Sequence, residues 1–269
     1  MRVIVFLLKI FLSFSHPAIK EDYMNSTLYT KIINGIKFSF INREEFNAIY
    51  KSIFLKKKFS GFKVTSKIPY IIDGGAHIGI SVLYFKLLFP KAEILAFEPN
   101  PISFRLLKRN IKQNKLKNIK LINAALSDKK GEEIFFMNKN KPILSWGDAI
   151  VKNPWHERGR FKIIKVPAVK LSTYISAKNT DLVKLNIEGA EGKVLKEAEN
   201  KLSKVKEIIM EFHGSSVNKS NKSEEILNIL KKNSFLYKVK QKGKEIKINQ
   251  VKKEDPFWVI IHAFKINNG

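Results

Sequence analysis

The chain has 269 residues and 44% hydrophobic content, enough for one large α/β domain with additions, and it contains no cysteine. That excludes disulfides, thiol nucleophiles and Cys-based metal sites, and favours a reducing compartment. The formal net charge is +26, yet only Arg2, Arg43, Arg105, Arg109, Arg158 and Arg160 are arginines. Nucleic-acid readers favour the arginine fork, so a lysine excess spread over every segment reads as a compositional bias with nonspecific affinity for anionic surfaces.

The first segment, MRVIVFLLKIFLSFSH, is too short and too interrupted by Lys9 to span a bilayer. At helical spacing Arg2, Lys9, Ser13 and His16 share one stripe. A helix packed on the core, or one lying in a membrane interface, fits that stripe better than an export signal. A cytoplasmic protein is the corresponding expectation, with residues 1–16 packed on the core and peripheral membrane contact through them as the alternative. Next, TKIINGIKFSFI reads as a hairpin turning at Asn34-Gly35, and REEFNAIYKSIFLKK as a helix with Phe46, Ile49, Ile53 and Phe54 on its apolar face. Residues 1–66 are expected to form an accessory cap of helix, hairpin and helix, and residues 67–269 the main domain.

From residue 68 onward strands and helices alternate, which predicts a doubly wound, mostly parallel, seven-stranded sheet of Rossmann-like α/β class. The predicted strands are 70–73, 93–98, 119–123, 181–187, 206–212, 235–240 and 257–265. EIFFMN reads as an extra edge strand. Residues 138–165 read as an irregular loop in which Trp146, Trp155 and His156 form either a substrate-facing flap or a cover for that edge.

YIIDGGAHIGIS ends an apolar strand in Asp73, turns through Gly74 and Gly75, and opens a helix after Gly79. The missing side chain at Gly75 lets a ligand approach, Gly79 permits close packing of the helix, and the helix N-terminus points at the turn. Glu98 closes the next strand at the spacing of a ribose-binding acid. A carboxylate at Asp73 would repel a pyrophosphate but tolerate a cationic ammonium and sulfonium. The pattern therefore points to S-adenosylmethionine and methyl transfer.

IIDGGAHIGISVLYF, LAFEPNPISFRLLKRNIKQN, LINAALSDKKG and DLVKLNIEGAEGKVLKEAE, taken together, resemble the successive blocks of the FkbM family of S-adenosylmethionine-dependent methyltransferases, from about Ile68 to His213. His77 stands where Asn is frequent, which should matter little to a turn lined by backbone. Asn186 stands where Asp is frequent, which weakens any role needing a charge there. The resemblance implies a class I methyltransferase fold and O-methylation of sugar, glycolipid or natural-product hydroxyls. It implies a cofactor held by Asp73, Gly75, His77, Gly79, Glu98, Pro99, Asn123 and Asn186.

In DLVKLNIEGAEGK a period of two puts Lys184, Asn186 and Glu188 on one face of a strand, where burial demands a partner or a cavity. Glu191 follows on the next helix, and Glu211 and His213 end the next strand. Glu188, Glu191 and His213 are the candidate general bases, unranked, with Lys184 beside them. Their alternatives are a helix cap for the two glutamates, a satisfied strand-end histidine, and an ion pair of Lys184 with one of those acids. No metal site is expected. A nucleic-acid methyltransferase is the disfavoured rival, since Asn186-Ile187-Glu188-Gly189 replaces the polar-Pro-Pro-aromatic tetrad of base methylases. A non-catalytic S-adenosylmethionine-binding protein on the same fold is the other.

Overall fold

The computed structural model describes residues 4–5, 26–138, 145, 147–152, 161–175, 179–251 and 254–265. Strands β4 (Tyr70–Gly74), β5 (Glu93–Phe97) and β6 (Ile119–Ile122) alternate with helices α2 (Ile80–Leu88) and α3 (Pro101–Gln113). Strands β10 (Thr180–Leu185) and β11 (Val205–Gly214) flank helix α4 (Glu191–Ala198), and helix α5 (Ser223–Lys232) follows. The chain closes with β12 (Leu236–Gln241), β13 (Lys244–Ile246) and β14 (Phe257–Phe264).

The main sheet runs β13-β12-β14-β11-β10-β4-β5-β6, eight strands where seven were expected, because the chain folds back after Gln241 into the short β13. From β6 to β11 the strands are parallel, and β14 lies antiparallel between β11 and β12. Crossovers leave β4 toward β5 on one side and arrive at β10 on the other. The β4–β10 boundary is thus the switch point where ligands bind in such sheets.

EIFFMN does not extend this sheet. It lies in β8 (Gly131–Asn138), which pairs with β9 (Phe161–Lys170), and β9 with β7 (Ala125–Ser127), in a separate three-stranded sheet. Residues 161–165, expected to be irregular, belong to β9. Its inward Ile164, Val166 and Ala168 are buried, and Pro167 interrupts an otherwise plain strand signal. Trp146, Trp155 and His156 lie outside the described residues.

Near the N-terminus, β2 (Tyr29–Ile33) and β3 (Ile36–Phe40) form the expected hairpin, with positive φ at both Asn34 and Gly35. Helix α1 (Arg43–Tyr50) follows, capped by Asn42, and runs into a π-helical turn over Lys51–Leu55. Where a helix was expected over residues 1–16, β1 (Ile4–Val5) pairs with the free edge of β2, as β-branched residues beside unpaired backbone groups can. The remainder of that segment, with Arg2, Lys9, Ser13 and His16, lies outside the described residues. Among the described residues no helix is long and apolar enough to cross a membrane.

Two hydrophobic clusters cover the two faces of the main sheet. One joins β10 and β11 to α4 and α5 through Val183, Leu195, Ile208 and Ile226. The other joins Ile71, Ile94 and Leu106 to the hairpin and α1 through Phe38, Phe40 and Phe46, so the hairpin shares the core of the main sheet. Phe40 and Phe46 stack at 4.1 Å. Each such buried phenylalanine contributes about 1.5–3 kcal/mol.

Asn110 on α3 locks this contact. Its Oδ1 accepts from Ser39 N at 2.7 Å, and its Nδ2 donates to the carbonyls of Ser39 at 3.0 Å and Ile78 at 2.7 Å. Asn110→Ala strands these buried groups and should lower unfolding free energy in urea by about 2–4 kcal/mol. A loss below about 0.5 kcal/mol, the level of an ordinary surface change, would show that this tie does not hold the hairpin.

Candidate active site

Asp73 and Lys184 face each other across the β4–β10 register, both buried, with Oδ1 and Nζ 2.9 Å apart. Asp73 Oδ2 accepts from Ser81 Oγ at 2.6 Å. The ammonium of Lys184 also donates to the carbonyls of Gly74 at 3.1 Å and Gly75 at 2.8 Å. Its charge thus meets the Asp73 carboxylate while two of its hydrogens hold the turn carbonyls. This corrects two expectations. Asp73 does not line the cavity: it is fully buried behind the turn, and its charge is matched inside the protein. Lys184 pairs with Asp73, not with a glutamate of its own segment, and is a clamp on the turn.

The clamp fixes a tight turn. Gly75 takes φ 75, and a Cβ there would collide with the Asn186 carbonyl. Gly79, at φ 91, caps α2, but its missing side chain makes room for Leu107 of α3, whose Cδ1 would lie 2.7 Å from a Cβ. Gly79 therefore shapes the packing of α2 on α3 from outside the cavity wall.

At the end of β5, Glu98 accepts from His77 N at 2.7 Å with one oxygen and from Asn100 N at 2.8 Å with the other. Each oxygen retains acceptor capacity. Burial raises the pKa of Glu98. Pro99 lines the cavity, whereas Asn123 stands behind it, its Nδ2 donating to the Glu98 carbonyl at 2.7 Å and the Pro99 carbonyl at 3.2 Å.

The His77 side chain matters after all. Its Nε2 shares a hydrogen bond with Ser145 Oγ and lies 3.6 Å from Glu45 Oε1, while Nδ1 is buried without a partner. Burial opposes protonation of this ring, but Glu45 and Glu98 outweigh it and raise the pKa. Glu45 itself accepts from Ser145 N at 2.8 Å. Asp148 accepts from Asn100 Nδ2 at 2.6 Å and Asn138 N at 2.8 Å. Burial, then Glu45 and Glu98, push its carboxyl well above the usual range. Neither Glu45 nor Asp148 was singled out in the sequence. Glu45 reads as one of two adjacent first-turn helix acids and Asp148 as a lone loop acid, and only folding brings them to Glu98.

The other end of the cavity is built after β10, which stops at Leu185, two residues short of its expected end. Asn186 N still bonds the Gly74 carbonyl at 3.0 Å, and its Oδ1 is buried without a hydrogen-bond partner. Glu188 then turns with φ 55, so it leaves the strand face expected for it. Glu191 is fully buried and accepts from Ile187 N, Gly189 N, Asn221 Nδ2 and His213 Nδ1, all at 3.1–3.2 Å. His213 Nε2 lies 3.5 Å from Glu188 Oε2. Burial alone would depress the imidazole, but Glu188, Glu191 and Glu211 overcome it and raise its pKa to about 10. Lys58, from the segment after α1, pairs with Glu211.

These contacts separate the three candidate bases. Glu191 is held as a cap and its pKa is lowered. The carboxylates of Glu188, Glu191 and Glu211 favour the imidazolium form of His213. Glu188 lines the cavity, its carboxyl pKa raised first by burial and then by Glu211 and Glu191.

Glu98 and Glu188 open onto one cavity of about 560 Å³, which Gly75, His77, Lys184 and Asn186 also line. Its remaining wall is largely apolar, with Ile49, Ile53 and Phe59 contributed by the N-terminal elements.

The methyltransferase FkbM domain profile matches residues 73–237, most of the chain. The chain belongs to the FkbM methyltransferase family. It is 31% identical over 182 residues to methyltransferase sdnD of Sordaria araneosa, covering 58% of this chain and 70% of sdnD. It is 24% identical over 177 residues to 2-O-methyltransferase NoeI of Sinorhizobium fredii (strain NBRC 101917 / NGR234), covering 59% and 72%. The crystal structure of methyltransferase FkbM from Methylobacillus flagellatus KT superposes with a TM-score of 0.50 at 15% identity, which supports the fold. It matches 80% of this chain, which spans about half (48%) of that longer one.

In this FkbM chain the raised pKa of His213 carries a sign. The folded value of about 10 lies above the ordinary 6.5, so the imidazolium stabilises the fold fully below about pH 6.5 and progressively less as pH rises toward 10. Carbon-detected NMR of the imidazole should find it protonated at pH 8, and the stability gap between wild type and His213→Gln should shrink from pH 6 to pH 10. An imidazole that titrates near 6.5 would contradict the caged imidazolium.

Proposed function

We propose that this FkbM-family protein is an S-adenosylmethionine-dependent O-methyltransferase acting on a hydroxyl of a small-molecule or glycan acceptor. The observation that carries the reading is one cavity with an acceptor carboxylate at each end, Glu98 and Glu188, and a buried amide oxygen on Asn186 without a partner between them. The residues fit the cofactor. Glu98 would receive the ribose hydroxyls, with Pro99 beside them. Asn186 Oδ1 would receive the ammonium, for which a neutral acceptor suffices. Gly75 and the His77 backbone would form the floor, while Asp73, Gly79 and Asn123 hold that floor from outside. The volume lies in the range of sites that enclose small molecules.

Bound there, S-adenosylmethionine would supply a methyl carbon activated by its sulfonium. The chain's own residues would supply the remainder. Ile49, Ile53 and Phe59 exclude water and orient the acceptor, which makes residues before 67 an accessory wall of the acceptor side. Glu188 takes the hydroxyl proton as the oxygen attacks, and the His213 imidazolium holds the carboxylate in place and favours its charged form. A relative bearing the name 2-O-methyltransferase supports a hydroxyl acceptor.

Two variants test this together. Calorimetry with S-adenosylmethionine should show Glu98→Ala weakening affinity at least about tenfold, the loss of charge-assisted ribose hydrogen bonds. Glu188→Gln should stay folded and keep that affinity, yet reduce transfer of labelled methyl into an acceptor from its own cell extract by about 10²–10⁴-fold. Undiminished affinity in the first would remove Glu98 from the ribose. Full turnover in the second would remove Glu188 as base.

A further inference from the structure

The mouth of the cavity carries features that methyl transfer does not use. After α1 the chain makes the π-helical turn Lys51–Leu55 and reaches Lys57 at φ 50, an uncommon conformation for a lysine. Single π-helical turns recur at functional sites. Ser52, Ile53, Lys58 and Phe59 line the cavity and Phe54 packs inward, so Leu55, Lys56 and Lys57 form the exposed knuckle between them. Leu55 on that knuckle is 64% exposed. Lys51, Lys56 and Lys57 are exposed beside it, and among the described residues no carboxylate pairs with any of them.

Trp258 borders the same opening. It lines the cavity yet is 50% exposed, and it pairs in register with His213 across β11 and β14. Lys58 reaches Glu211, two residues before His213 on β11, which ties the knuckle to that strand end. The neighbouring acids are engaged. Glu211 meets Lys58, Glu254 meets Lys242 at 3.2 Å, and Asp255 accepts from Ser216 N at 3.0 Å. The opening of an apolar cavity is thus flanked by outward apolar side chains and unmatched cations.

We propose that the mouth of the cavity is a docking surface for an anionic lipid bilayer, with Leu55 and Trp258 entering the interface and Lys51, Lys56 and Lys57 facing the headgroups. Tryptophan and leucine partition to that depth, and lysines near it are attracted by the negative surface potential. A polynucleotide would match the lysines but leave Leu55 without a partner, and the knuckle offers no arginine fork. Docking in this pose would let an acceptor with an apolar body enter the cavity without crossing water. The inference does not depend on O-methylation, because binding is read without turnover.

The test is sedimentation of the full chain with vesicles of phosphatidylcholine, alone or with roughly a third phosphatidylserine, a content that gives a negative surface potential. Wild type should pellet with the anionic vesicles only, and less as salt rises. Lys56→Glu/Lys57→Glu should weaken pelleting by about tenfold or more. Leu55→Ser should weaken it by about threefold or more, since apolar burial adds to the electrostatic attraction. All of these surface variants should melt like wild type. No pelleting of wild type overturns the proposal. So does equal pelleting of wild type and both variants, which would locate binding on residues 1–25 or on the general lysine surface. Indifference to Leu55→Ser, with single-stranded RNA binding abolished by the charge reversal, would assign the knuckle to a polynucleotide instead.

Discussion

The Asp73–Lys184 ion pair is the contact on which the rest of the site depends. It joins β4 to β10 at the boundary where the crossovers diverge, and the same ammonium holds the carbonyls of Gly74 and Gly75. A carboxylate and an ammonium taken from water cost several kcal/mol each, so neither could stay buried without the other and these added hydrogen bonds. The pair thereby turns a flexible double-glycine turn into a fixed floor. Glu98 is then positioned from that floor, through the His77 amide, and Asn186 is positioned against it, through the Gly74 carbonyl.

Electrostatics divide the cavity into unlike ends. At the Glu98 end, the buried Glu45 and Glu98 meet His77, the half-buried Asp148 accepts from Asn100 and Asn138, and the carboxyls of Glu98 and Asp148 are driven upward in pKa. At the Glu188 end, a fixed imidazolium sits between two glutamates. Burial would neutralise Glu188, and His213 opposes that, leaving a carboxyl with raised pKa at the cavity wall. An acid of that kind suits proton removal near neutral pH better than an exposed glutamate does.

What the sequence made legible was local. The glycine turn and the spacing to Glu98 depend on one βαβ unit, whose geometry the chain dictates within a short span, and the strand-helix alternation gave the sheet. Contacts between distant segments were not legible. The partner of Asp73 is far along the chain, and Glu45 comes from a helix that reads as part of a separate cap until Asn110 ties its hairpin to α3. β9 was hidden by Pro167 and by a polar run before it. The assignment of Glu188 to a strand face failed because β10 ends at Leu185 and the chain turns through Glu188 and Gly189, both at positive φ. That same turn aims it at His213.

The most direct measurement of the central claim is a double-mutant cycle on the ion pair, read as unfolding free energy in urea. Asp73→Asn and Lys184→Met should each be costly, with the lysine change losing about 3–5 kcal/mol because it leaves a buried carboxylate uncompensated. The double variant should recover part of that loss, giving a coupling of about 1–3 kcal/mol. Losses that add to within about 0.5 kcal/mol would contradict the account, because Asp73 and Lys184 would then act independently and the floor of the site would have another support.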